Sequence, residues 1–193
     1  GAYFKFNTYR GRKLFGAKLI PNRGTWLEFE TDPDGAVSVK IDRNRKVPAT
    51  ILMQVFGMDR KAIEKEFGES IAQTLKKDTT ESTDEAYLEI YQRIRPGDLA
   101  TADDARKLID SMFREEDRYD LSEVGRFKLN QRLGIDRGTS KLLTSKDIVW
   151  IVKEIMRLNA DPEAESDDVD NLSRRRVRAL GELLQIRLRV GFT

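Results

Sequence analysis

The residues best able to do chemistry lie between Asp167 and Arg189. An acidic run, Asp167-Asp168-Val169-Asp170, leads into Arg174-Arg175-Arg176-Val177-Arg178, which places four arginines in five positions. One helix face cannot bury that many guanidinium groups, so some must meet solvent, a phosphate or an acidic partner. Asp170 can accept from the N1–H and N2–H edge of an unpaired guanine, and Arg175 can brace it or the backbone through a rigid fork. The same pair would serve equally as a helix N-cap and a local salt bridge.

Trp26 is the second chemically informative residue. It follows the turn Pro21-Asn22-Arg23-Gly24 and shares the outward phase of Glu28 and Glu30, opposite Leu27 and Phe29. An indole there either covers a sheet edge or offers an unpaired base a stacking platform worth about 1–3 kcal/mol. Asp42, Arg43, Arg45 and Lys46 follow the next alternating run. Such a cluster grips phosphates in a salt-dependent way or stays solvated, with Asp42 neutralising part of it. Arg126 and Lys128 are further cations within reach of a phosphate.

Composition narrows the chemistry further. The 193 residues contain no histidine and no cysteine. The commonest general base near neutral pH, the commonest zinc ligand, the thiol nucleophile and the disulfide are therefore all missing. Catalysis by this chain alone is not expected, and no metal site is. The net charge of +2 means that any nucleic-acid binding must come from local patches. With 39% apolar residues and no run of eighteen of them, the chain reads as a globular protein with neither an export signal nor a membrane span.

The elements that must position these residues divide into two kinds. Lys13 to Ile20, Leu27 to Glu30 and Val37 to Ile41 alternate as strands, with Asp32-Pro33-Asp34-Gly35 as the hairpin turn between the last two. From Pro48 the period becomes helical. Thr101 with Asp104, Asp120 with Glu123, and Thr144 with Asp147 each pair a capping side chain with an acid three residues on. Stripes such as Leu108, Ile109, Met112 and Ile148, Ile151, Val152, Ile155 mark buried helix faces. Arg95-Pro96-Gly97-Asp98 should end the helix that carries Tyr87 and Tyr91. Residues 161–168 read as a solvated loop, and Gly181 to Val190 as a helix anchoring the base of the domain. The fold class is α+β: a small antiparallel sheet near the N-terminus in a β-rich part, 1–47, followed by a mostly helical part, 48–193.

In this order the pieces resemble the lobe, or beta2 domain, of the beta subunit of bacterial RNA polymerase. The resemblance rests on Ile20-Pro21-Asn22-Arg23-Gly24-Thr25-Trp26-Leu27-Glu28-Phe29-Glu30, on Val39-Lys40-Ile41-Asp42-Arg43-Asn44-Arg45-Lys46-Val47-Pro48-Ala49-Thr50 and on Arg95-Pro96-Gly97. It continues through Arg118-Tyr119-Asp120-Leu121-Ser122-Glu123-Val124-Gly125-Arg126-Phe127-Lys128-Leu129-Asn130 and ends in the arginine-rich segment. It covers essentially the whole chain, which is expected to be an excised lobe lacking the large insertion that some bacterial lobes carry. In the last segment Asn171 stands where the family usually has His, and Ser173-Arg174 where it has Gly-Asn.

What the resemblance implies is contact rather than catalysis. The lobe would form one wall of the cleft that holds downstream duplex DNA and the nontemplate strand. The matching Trp26 would face that strand, and Arg95 and Arg118 would lie along its path. Val169, Asp170 and Arg175 would belong to a pocket reading one nontemplate base; Asp42 and Arg43 are counted with them as candidate DNA contacts. The magnesium of the parent nucleotidyltransferase would be held by the beta′ subunit, so this fragment needs no cofactor. Implied partners are DNA and, through the full beta subunit, beta′, alpha, omega and sigma, with no membrane and a cytoplasmic, nucleoid-associated location. The alternative is an interaction module that docks other subunits, initiation factors or regulators without reading bases.

Overall fold

The computed structural model describes residues 1–136, 138–172 and 175–192. Five strands, β1 (Ala2–Tyr9), β2 (Arg12–Leu19), β3 (Leu27–Thr31), β4 (Val37–Ile41) and β5 (Val47–Pro48), form an antiparallel meander in the order of the chain. Along β2 to β4 the inward phase is Phe15, Ala17, Leu19, Leu27, Phe29, Val37, Val39 and Ile41, all buried. The alternation of the sequence therefore sets which face meets the helices.

β1 is the strand that the sequence reading does not anticipate. Phe4 and Phe6 alternate with Lys5 and Asn7, but only Phe4 is fully buried, and Asn7 to Tyr9 are exposed, so the alternation is short. It is held by its register with β2, from Ala2↔Leu19 to Tyr9↔Arg12. The hairpin turns through Arg10 and Gly11 at φ 48° and 78°, the left-handed pair that a tight two-residue turn requires.

The helices follow as α1 (Ala49–Val55), α2 (Arg60–Phe67), α3 (Ala72–Lys77), α4 (Thr83–Ile94), α5 (Ala102–Arg114), α6 (Ser122–Leu133), α7 (Ser145–Ala160) and α8 (Leu180–Gly191). Thr101–Asp104 and Thr144–Asp147 form the expected reciprocal caps of α5 and α7. The third expected cap is different. The Asp120 carboxylate accepts from the Ser122 N–H, and the Ser122 hydroxyl accepts from the Gly125 N–H. The N-cap position of α6 is Leu121, which has no capping side chain; the Ser122 hydroxyl serves the first turn instead, and Asp120 pairs through its backbone with Arg23. α4 ends at Ile94, and Gly97 turns the chain at φ 83°.

α7 fastens the helical body to the sheet. The Asn159 amide oxygen accepts from the Phe15 N–H at 2.8 Å, while its NH2 donates to the Thr31 hydroxyl at 2.8 Å. Arg126 of α6 and Asp147 of α7 form a fully buried ion pair at 2.7 Å, and the guanidinium also donates to the carbonyls of Ser140 and Leu142. Arg126 is therefore a structural cation; the buried pair removes it from the candidate phosphate contacts.

Residues 161–168 form the expected, largely exposed loop, and its later part runs along the outer edge of β1. The Asp167 N–H donates to the Phe4 carbonyl at 2.7 Å, the Asp167 carboxylate accepts from the Phe4 N–H at 2.9 Å, and Ala164 is buried. The segment occupies backbone groups that an edge strand would otherwise expose. α8, in contrast, anchors nothing: none of its residues is buried, and Leu184 and Leu188 are more than half exposed. Its apolar residues meet no core among the described residues, so their hydrophobicity says nothing here about packing.

Candidate nucleic-acid interface

The connection from β2 to β3, residues 20–26, is the axis of the site. Asn22 and Arg23 donate their N–H groups to the Asp120 carbonyl, and Asp120 returns its N–H to the Arg23 carbonyl. Gly24 fits here only as glycine. Its φ is 113°, and an added Cβ would lie 2.7 Å from the Arg118 carbonyl oxygen and 2.8 Å from the Tyr119 ring. The local path is thus set by a contact ninety-odd residues away in the chain, and it ends by presenting Trp26 at the rim of the sheet.

Trp26 is half-buried, in the phase of Glu28 and Glu30 as expected. Its N–H donates to Asp42 Oδ1 at 2.8 Å, and its carbonyl accepts from the Asp42 N–H at 3.0 Å. Asp42 and Arg43 lie at φ 48° and 63°, and the Asn44 N–H closes the turn on the Ile41 carbonyl. This is a two-residue turn of the left-handed kind, made without the usual Asn or Gly. The Arg43 guanidinium lies 5.3 Å and the Lys18 ammonium 5.6 Å from the indole centroid, so the ring is already a cation-binding surface. Gly24, Trp26, Asp42 and Arg43 line a shallow hollow of about 180 Å³.

A second, larger hollow of about 990 Å³ lies on the other side of the same connection. Ile20, Pro21 and Asn22 form one wall, Val124 and Lys128 of α6 another, and Val169, Arg175 and Arg178 a third. The segment that follows β1's outer edge delivers Val169 and Arg175 to this place. At its root, Arg132 pairs with Asp167 at 3.0 Å and Glu154 at 2.9 Å and covers the Phe4 ring. Burial pulls the Arg132 guanidinium pKa down, but bonds to the two carboxylates more than offset this and leave it raised.

The expected residues therefore fall into groups. Trp26, Asp42 and Arg43 converge. Val169 and Arg175 share the neighbouring hollow. Asp170 is exposed and lines neither hollow; its N–H bonds to the Asp168 carboxylate, and no hydrogen bond or ion pair joins Asp170 to Arg175. Arg118 meets the site through its backbone at Gly24, while its exposed side chain pairs with Glu115 at 3.3 Å and donates to Ser111. Arg95 is exposed at the end of α4, over the Tyr91 ring at 6.0 Å, and none of the contacts joins it to Trp26. Ser173 and Arg174, where the sequence departs from the expected pattern, lie outside the described residues.

Lys18 is the site residue that the sequence reading overlooks. The signal is in the register: Lys18 faces Glu28 across β2 and β3 and pairs with it at 3.1 Å, which puts it in the outward phase of Trp26.

Residues 2–178 match the family described as RNA polymerase Rpb2, domain 2. The chain belongs to this family. The DNA-directed RNA polymerase subunit beta of Corynebacterium urealyticum is 41% identical over an alignment of 210 positions that takes in 100% of this chain. The chain spans 18% of that relative's length. Apart from Gly1, the residues lining both hollows of this Rpb2 domain 2 lie within the matched region, whereas α8 lies beyond it. Among the described residues, no helix of the domain is long and apolar enough to cross a membrane.

Proposed function

We propose that this chain works as the lobe of the beta subunit of a bacterial DNA-directed RNA polymerase, forming one wall of the DNA cleft and contacting downstream duplex and nontemplate strand. The observation that carries this reading is the exposed turn at Trp26, where an aromatic face, a cation and a hollow the size of a side chain meet on one rigid connection. A base stacks on Trp26, and Arg43 meets the adjoining phosphate. Val169, Arg175 and Lys128 guide the strand through the neighbouring hollow, with Asp170, exposed beside Val169 and outside the hollow, as a further acceptor for a base. Arg95 and Arg118 extend the path, and Asp42 completes the turn. The lobe supplies contact; nucleotidyl transfer and its magnesium belong to the assembled enzyme and its beta′ subunit, in a cytoplasmic, nucleoid-bound complex with alpha, omega and sigma.

Replacing Trp26 and Arg175 by Ala in assembled polymerase tests this. Loss of a stacked base costs about 1–3 kcal/mol, so the lifetime of the open complex should fall about ten-fold at promoters whose nontemplate strand reaches the site. An unchanged lifetime for both variants refutes DNA contact by these residues.

A docking module is the second reading, and it is favoured by α8, none of whose residues is buried, and by Leu99, which is almost fully exposed. Unchanged open complexes with lost binding of a subunit or factor would select it.

A further inference from the structure

Asp42 is placed to act on Trp26 rather than on a nucleic acid. The last regular pair between β3 and β4 is Leu27↔Ile41, after which the strands would part. Asp42 prevents this with both halves of its structure: the backbone N–H reaches the Trp26 carbonyl at 3.0 Å, and carboxylate Oδ1 takes the Trp26 N–H at 2.8 Å. To do so it adopts φ 48°, a left-handed conformation that Asp and Asn tolerate better than most residues because a short polar side chain can bond locally. The following Arg43, at φ 63°, has no such compensation; the turn is held in a costly shape that leaves its cation 5.3 Å from the indole.

We propose that Asp42 is a positioning residue: its carboxylate locks the Trp26 backbone, so that the indole stands fixed beside Arg43 and Lys18 before any base arrives. Oδ1 is committed to the Trp26 N–H, so the acceptor that does this work is not the one a base would meet. The functional half of the idea rests on the proposed stacking role of Trp26; the structural half does not.

Three substitutions separate the possibilities. Asp42→Asn keeps an acceptor at Oδ1 and tolerates the left-handed turn. Asp42→Gly keeps the turn and removes the acceptor. Asp42→Ala loses both, and if it fails to fold the first two still decide. Hydrogen exchange at the Trp26 amide reads the lock directly in this chain, with the Leu27 and Ile41 amides as controls for global opening. Asp42→Gly should lower Trp26 amide protection about ten-fold, the effect of one hydrogen bond to a charged acceptor, with the controls unmoved. Asp42→Asn should keep most of the protection. In assembled polymerase, Asp42→Gly should shorten open-complex lifetime, Asp42→Asn should largely restore it, and Asp42→Gly added to Trp26→Ala should cost nothing more.

Unchanged Trp26 protection in Asp42→Gly overturns the proposal. So does an Asp42→Asn enzyme as impaired as Asp42→Gly while its Trp26 amide stays protected, because a carboxylate that touches the base would then be the cause. If the exchange results hold but Trp26→Ala leaves the open complex unaltered, the lock stands and the stacking role fails.

Discussion

Replacing Arg126 by Met should be among the most damaging single changes in this domain, and the magnitude follows from its surroundings. Arg126 and Asp147 are 2% and 0% exposed. The guanidinium makes bonds to both Asp147 oxygens at 2.7 and 3.0 Å, and to the carbonyls of Ser140 and Leu142 at 2.6 Å each. Methionine matches much of the aliphatic stem but leaves the Asp147 carboxylate buried, with only the Thr144 cap to satisfy it. Stranding one partner of a buried pair costs about 3–5 kcal/mol. That is a large share of a total stability of about 5–15 kcal/mol. At about 2–4 °C per kcal/mol for a chain of this size, the melting temperature should fall by about 6–20 °C. Thermal and urea unfolding followed by far-ultraviolet circular dichroism would measure it. Arg126→Met combined with Asp147→Asn should recover part of the loss, because the amide keeps an acceptor for Thr144 without a bare charge. A loss below about 1 kcal/mol for Arg126→Met, the range of solvent-exposed pairs, would refute the assignment of Arg126 as a buried structural cation.

Two further outcomes can be checked on the same chain. Gly24→Ala should cost about 1–3 kcal/mol in urea unfolding, because φ 113° and the Arg118 carbonyl 2.7 Å away both oppose a side chain; a neutral result would show that residues 20–26 do not need this path. Stability should also fall in alkali. Burial, with the Asp110 bond adding to it, pushes the Tyr87 phenol up to about 12 from an ordinary value of 10.0, and burial pushes Tyr119 higher still. Folded values above the unfolded one mean that the neutral phenols contribute stability in full below about pH 10 and lose it as pH rises toward 12. Phenolate absorbance rising together with unfolding would support this, whereas complete titration near pH 10 in the folded state would oppose it.

Much of the fold was legible in the sequence because it is written in local rules. Alternation along Leu27 to Glu30 and Val37 to Ile41 identified two strands, and turn residues at Asp32 to Gly35 joined them. Reciprocal caps at Thr101 and Thr144 began two helices. β1 escaped because its alternation is short, Phe4 and Phe6 against Lys5 and Asn7; it is held by pairing with β2 on one side and residues 164–167 on the other. The expected Asp120 cap is not formed, since the N-cap position is Leu121 and Asp120 pairs through its backbone with Arg23. Arg126 and α8 show that charge and hydrophobicity do not fix exposure by themselves. A cation is buried where a carboxylate and two carbonyls await it, and a leucine-rich helix stays unburied among the described residues.

For the site, residue type and outward phase were enough to single out Trp26, and the absence of histidine and cysteine was enough to turn attention from catalysis to contact. Family membership rests on motifs that are likewise sequence properties. The tertiary structure alone decided which candidates meet. It joined Trp26 to Asp42 and Arg43, added Lys18, put Val169 and Arg175 in a separate hollow, and left Asp170 and Arg95 outside both. The physical reason is that periodicity specifies the face of an element, whereas convergence depends on turns and long-range backbone pairing. Here these are the left-handed turn at Asp42 and the bridge from Arg23 to Asp120, neither of which any local pattern encodes.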